Sequence, residues 1–195
     1  MKLEIKNALE NYFDKQRGFW QSSFGTFPQK PYDEKCEDNP TIIPNTLDEE
    51  DYVQWHPVEQ TPSIDFSKLE QKLNCMINPK IKQLFTSYWY YDLVGVLNNV
   101  TVNYSCIRLV LYFVPIPYGI EVLELLEDCY NYADSKFHNK NIHFEIGIAL
   151  VGGDDSYLLY IDNETTMVKC VQISDQIVIE VGFLEDVLSN MDVGV

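Results

Sequence analysis

Cations are scarce in the second half of this chain. Its 195 residues include 14 Lys or Arg against 30 Asp or Glu, a formal net charge of −16. Residues 1–90 carry 10 basic and 14 acidic side chains (net −4), whereas residues 91–195 carry 4 and 16 (net −12). A half whose cations are Arg108, Lys136, Lys140 and Lys169 cannot neutralise itself by internal pairing, which predicts an acidic face. Such a surface repels nucleic-acid phosphates and anionic lipid, and suits either a basic protein partner or simply solubility.

Long hydrophobic runs are missing as well. The richest, 107–117, is interrupted by Pro115 and Pro117, so no membrane insertion is expected. The opening residues, MKLEIKNALENYFDKQ, lack the apolar core of a secretory signal. Five cysteines (Cys36, Cys75, Cys106, Cys129, Cys170) form no CxxC, and their odd count and wide spacing argue against a disulfide framework or a zinc site. Free thiols in a reducing cytosol follow, hence a cytoplasmic location.

Catalytic signatures are few. No GxSxG, Walker A or GxGxxG pattern is present, and the three histidines (His56, His138, His143) pair with nothing at metal-ligand spacing. Gly152-Gly153 is followed by Asp154 and Asp155, which a phosphate-holding loop would not carry; it reads as a turn. No calcium-loop pattern occurs, and no cofactor is expected. Carboxylate pairs are abundant and therefore uninformative about hydrolysis; a solvated acidic surface explains them. A Cys–His dyad assembled from distant residues stays open at this point.

An ordinary apolar content of 46% then argues for a folded domain. Ile5, Leu9, Tyr12, Phe13, Gln16 and Trp20 recur at helical spacing, predicting an amphipathic helix over 3–20 that weakens at Gly18. Residues 21–62 hold six prolines and read as a wrapping segment with one short strand at 52–55. Asp65 can cap a helix to about residue 76, and Pro79 suits the first turn of the next. Strands are expected at 92–97 and 100–104 around an Asn98-Asn99 turn, then at 107–114 with both faces apolar. A helix over 119–134 and strands at 142–151, 157–161 and 167–173 come next, with Asn163 in the left-handed conformation of the last turn. Residues 177–181 and a short helix around Phe183, Leu184, Val187 and Leu188 close the chain. This is a single-domain α+β pattern, mostly antiparallel sheet packed with helices. Ser87-Tyr88-Trp89-Tyr90-Tyr91 places four rings at the helix-to-sheet junction; core packing is favoured for most of them, although such rings also build binding patches.

The order of features carries a resemblance. The opening helix reaches Phe19-Trp20. A Pro-rich loop leads through Asn39-Pro40-Thr41-Ile42-Ile43 and an acidic stretch to Tyr52-Val53-Gln54-Trp55-His56-Pro57. Asp65-Phe66-Ser67-Lys68-Leu69-Glu70 precedes Ile77-Asn78-Pro79-Lys80-Ile81 and Leu84-Phe85-Thr86, and Ile161-Asp162-Asn163-Glu164-Thr165-Thr166-Met167-Val168 forms a late hairpin. This series resembles the Syd family of SecY-interacting proteins, a branch of the SUKH superfamily. Thr165-Thr166 stands where Gly is common in the family, and Thr41 where Cys is frequent. The resemblance implies a non-enzymatic, Syd-like SUKH domain over 1–195 with an acidic concave surface that holds a basic protein segment. Two roles are associated with it: an immunity protein masking the basic surface of a secreted toxin, such as a nuclease, or a regulator binding the cytosolic loops of the SecY translocon at the inner membrane face. Divergence from the Syd pattern favours the first. The expected contact residues are Asp48, Glu49, Glu50, Asp51, Glu121, Glu124, Glu127, Asp128, Asp154 and Asp155, with Trp55 and Tyr90 as apolar anchors.

Overall fold

The computed structural model describes residues 4–61, 63–102, 105–134, 143–151, 154–172 and 177–194. Helix α1 (Glu4–Phe24) buries Ile5, Ala8, Leu9, Tyr12, Phe13 and Gln16, the stripe that its spacing predicts. It runs a turn past the expected end. Phe24 packs its ring on Trp20 (centroids 4.9 Å apart) and Phe19 (6.0 Å), which offsets the weakness at Gly18. Gly25, at φ +72°, then turns the chain out of the helix, and its N–H caps the Gln21 carbonyl.

The Pro-rich segment is pinned rather than loose. It contains β1 (Gln29–Pro31), β2 (Tyr52–Gln54) and β3 (Val58–Glu59), two more short strands than the one expected. β1 pairs with β2, and β3 pairs with β4 (Tyr88–Trp89). Asn39 fixes the bend between β1 and β2: its Oδ1 accepts from the Thr41 N–H (3.0 Å) and hydroxyl (2.7 Å), while its Nδ2 donates to the Tyr91 hydroxyl (2.7 Å) and the Lys35 carbonyl. The buried Trp55 indole meets Tyr91 edge-on at 5.8 Å.

Helices α2 (Ser67–Leu73) and α3 (Pro79–Thr86) follow. Asp65 accepts from both the N–H and the hydroxyl of Ser67 at the start of α2, but Asn74 in the left-handed conformation ends the helix before residue 76. Asn78 caps α3 with Pro79 in its first turn, as expected.

The rest of the chain is a curled antiparallel sheet with strand order β10-β9-β8-β7-β6-β5-β11. Its strands are β5 (Val94–Val102), β6 (Ser105–Phe113), β7 (His143–Val151), β8 (Asp154–Asp162), β9 (Met167–Gln172), β10 (Val178–Phe183) and β11 (Asp192–Val193). Helix α4 (Val122–Asp134) separates β6 from β7, and α5 (Leu184–Asn190) carries the chain from the β10 edge back to the β5 edge. Helices α1, α3 and α5 cover one face. Leu109, Leu111, Phe144, Ile146, Leu159, Ile161, Val168 and Cys170 point into that core, all 0% exposed. Helix α4 lies against β7 and reaches residues of both sheet faces: Tyr130 meets Phe144 (6.1 Å), while Ala133 clusters with Tyr160 and Val171.

Two local expectations are corrected. Asn98-Asn99 is a bulge inside β5, not a turn: Leu97 faces Leu109 and Val100 faces Ile107, so β5 holds one residue more than β6. Asn99 takes the left-handed conformation within the bulge (φ +62°). In the β8–β9 turn Thr166, not Asn163, is left-handed (φ +61°). Asp162 shapes that turn by accepting from the Glu164 and Thr165 N–H groups and the Thr165 hydroxyl, while Asn163 turns away to bridge the Met76 carbonyl and the Asn78 N–H.

Candidate protein-binding surface

Trp55 and Tyr90, expected as anchors for a partner, anchor the core instead. They are 0% and 1% exposed. Tyr90 packs on Phe13 (5.6 Å) and donates its hydroxyl to the Val114 carbonyl (3.2 Å); burial pushes that hydroxyl's pKa far up, so it stays a neutral donor. Large rings with one satisfied polar tip are as useful inside as on a surface, and the sequence pattern is the same for both.

The predicted acids fall in two places. Asp48, Glu49, Glu50 and Asp51 are all exposed on the tight loop before β2. Asp48 builds that loop: its carboxylate accepts from the N–H groups of Glu50 and Tyr52 and from the Gln29 amide. Glu121, just ahead of α4 with its carbonyl accepting from the Leu125 N–H, and Glu124 and Asp128 within it are exposed and follow one another at i, i+3 and i+7, which puts them on one stripe. Glu127 lies off the stripe, half-buried and ion-paired with Lys72. Asp154 and Asp155 open β8, but their side chains, like the Gly152-Gly153 turn, lie outside the described residues.

The Trp55-His56-Pro57 element also walls a cavity of about 360 Å³. Phe13 of α1 and Phe27, Pro28 and Ile43 of the wrapping segment complete its apolar wall, and the Asp14–Arg17 ion pair (2.8 Å) sits among its lining residues. The pairing of α1 with residues 27–57 is long-range, so no local pattern announces this cavity.

The histidines do not converge among the described residues. His56 lines that cavity, His143 pairs with Asp162 (3.4 Å) across β7 and β8, and His138 lies outside the described residues. Burial pushes the Cys129 and Cys170 thiols up to about 12 and raises Cys75 as well, the opposite of the setting that activates a thiol nucleophile. Among the described residues no group of three His, Cys, Asp or Glu could hold a metal ion, and no helix is long and apolar enough to cross a membrane.

The described surface thus carries an acidic stripe along α4 and an acidic loop before β2. No curated protein matches the chain. The family model described as Syd protein (SUKH-2) matches residues 6–104, from α1 through β5, about half of the sequence. The chain belongs to the Syd (SUKH-2) family, whose members are protein-binding.

Proposed function

We propose that this protein is an immunity-type inhibitor that masks the basic surface of a toxin domain. The observation that carries the reading is the α4 stripe of Glu121, Glu124 and Asp128, set in a half of net charge −12. A toxin that cleaves nucleic acid presents a basic cleft to phosphate, and an acidic surface occupies such a cleft and steers its own approach. The Asp48–Asp51 loop and the acids that open β8 extend the contact set.

The test is association of the purified chain with the basic C-terminal domain of a toxin encoded beside it, with solubilised SecY as the parallel arm. Tight binding to the toxin domain, with an on-rate that falls steeply as salt rises, is the expected result. Capture of SecY but not of the toxin domain would replace this reading by the translocon-binding one. An on-rate indifferent to salt would remove the steering.

A further inference from the structure

A cavity of about 420 Å³ lies between α4 and strands β6 and β7. That volume falls within the roughly 300–1,000 Å³ of ordinary ligand pockets. None of the residues around it belongs to 6–104, the span of the family match.

Two local devices build the cavity. On α4, Leu125, Asp128, Cys129 and Tyr132 stand at i, i+3, i+4 and i+7, so one helix face turns towards it. On β7, regular alternation would send Glu145 and Ile148 to opposite faces. A bulge resets the alternation: Glu145 lies opposite Tyr160 and Ile148 opposite Leu158, and those partners share one face of β8. Gly147 makes the bulge possible. Its φ is +148°, and a Cβ there would lie 1.9 Å from the Tyr112 carbonyl oxygen.

The result is an apolar pocket with acids in its wall. Tyr112, Leu125, Cys129 and Ile148 supply the apolar surface, and the Tyr132 ring beside them is 62% exposed. Asp128, exposed on the helix, and Glu145, half-buried on the strand, supply the charge. Both carboxylates act on the Cys129 thiol, whose pKa is raised chiefly by burial, so the two charges gather round one point. The Tyr160 hydroxyl donates to Glu145 at 3.1 Å and holds it in place. The last turn of α4 has no basic residue, and its carbonyl end adds negative potential.

We propose that this pocket seats an arginine side chain of the basic partner. The partner rests on the masking reading above, whereas the pocket's preference for arginine stands on its own walls. An arginine stem covers Leu125 and Ile148, its planar face lies on a tyrosine ring, and its fork of N–H donors reaches one carboxylate from the helix and one from the strand. A lysine ammonium is a compact, strongly hydrated point charge and gains less from a ring and a divided pair of acids. An uncharged apolar ligand would strip water from the carboxylates and return no charge. Asp128 belongs to both the α4 stripe and the pocket, so the outer acids steer arrival and the seated side chain slows departure.

The experiment follows backbone amide resonances of the isotope-labelled full chain during titration with N-acetyl-arginine methylamide. The lysine and citrulline counterparts serve as the point-charge and the neutral comparison. Saturable shifts should cluster at Asp128, Cys129, Tyr132, Glu145 and Ile148, with affinity roughly fivefold or more above the lysine counterpart and no saturable shift from citrulline. Tyr132→Ala and Ile148→Ser, uncharged changes at exposed positions, should each weaken the response, with circular dichroism verifying the fold. Shifts spread over all exposed acids, or an arginine response equal to that of citrulline or unchanged in both variants, overturn the proposal. The same variants should release the toxin domain roughly tenfold faster with an unchanged on-rate. Unchanged release overturns the pocket and leaves the masking reading standing. A pocket that takes the arginine probe in a chain that binds no toxin domain supports the pocket and removes the masking reading.

Discussion

Residues 4–91 and 92–194 handle charge in opposite ways. In the first stretch Lys6, Arg17, Lys30, Lys72, Lys80 and Lys82 all sit on carboxylates. Two of them reach across the fold: Lys72 to Glu127 of α4 and Lys80 to Glu185 of α5. In the second stretch Lys169 meets Glu180 and His143 meets Asp162, while Glu121, Glu124 and Asp128 stand exposed. One part commits its cations to fastening, and the other leaves its acids outward. Exposed pairs contribute at most about 1 kcal/mol each. The fastening should therefore rest on the buried rings beneath, and the outward acids should matter to a partner and hardly to the fold.

The largest test strikes the rings. Trp55→Ala removes a side chain that is 0% exposed and meets Tyr91 edge-on. Denaturant unfolding should show a loss of about 3–5 kcal/mol. Lys72→Ala, which breaks an exposed pair, should cost less than about 1 kcal/mol. Equal losses from the two would erase the contrast.

Asp162 is the acid of the second stretch that does hold structure. It is 2% exposed and organises the β8–β9 turn. Burial pushes its carboxyl up, but the Thr165 N–H and hydroxyl, with His143 and Lys169 nearby, outweigh burial and hold it below the usual range. Its folded value is thus lower than its unfolded one. The stability it adds is present above the ordinary carboxylate value of about 3.9 and is lost as pH falls through its lowered folded value. Asp162→Ala should cost about 1–3 kcal/mol at neutral pH, because two N–H donors lose their acceptor. The variant's stability should also fall less steeply on acidification than that of the wild type.

The α4 stripe provides the converse. Replacing Glu121, Glu124 and Asp128 by Gln, Gln and Asn removes three exposed carboxylates and leaves the core untouched. Stability should change by less than about 0.5 kcal/mol. The on-rate for the basic toxin domain should drop roughly tenfold at low salt and converge with the wild type at high salt. A stable variant with an unchanged on-rate would move the recognition surface elsewhere, first to the Asp48–Asp51 loop.

What was legible in the sequence follows from range. The α1 stripe, the Pro79 start of α3 and the strands at 142–173 depend on spacing within a few residues, and they stand close to where they were read. Trp55 and Tyr90 were misplaced because an aromatic residue looks the same inside and outside. The cavity behind Trp55, His56 and Pro57 escaped because it joins α1 to residues 27–57, and only the tertiary fold brings them together. The alternation of Arg108, Val110 and Tyr112 with Leu109, Leu111 and Phe113 was the one local sign that both faces of β6 are apolar.

The Asn98-Asn99 bulge sits where local and long-range signals conflict. Asn at φ +62° is at ease in a tight turn, so the pair read as a hairpin tip. The structure uses the same conformation to absorb one extra residue while β5 continues along β6. The bulge increases local twist, and β5 is the strand on which β11 closes the far edge. Asn99→Val, β-branched and strained in that region, should cost about 1–2 kcal/mol, whereas Asn99→Gly should be nearly neutral. If Val were tolerated as well as Gly in thermal unfolding, Asn99 would not be left-handed in solution, and the register on either side of it would have to be redrawn.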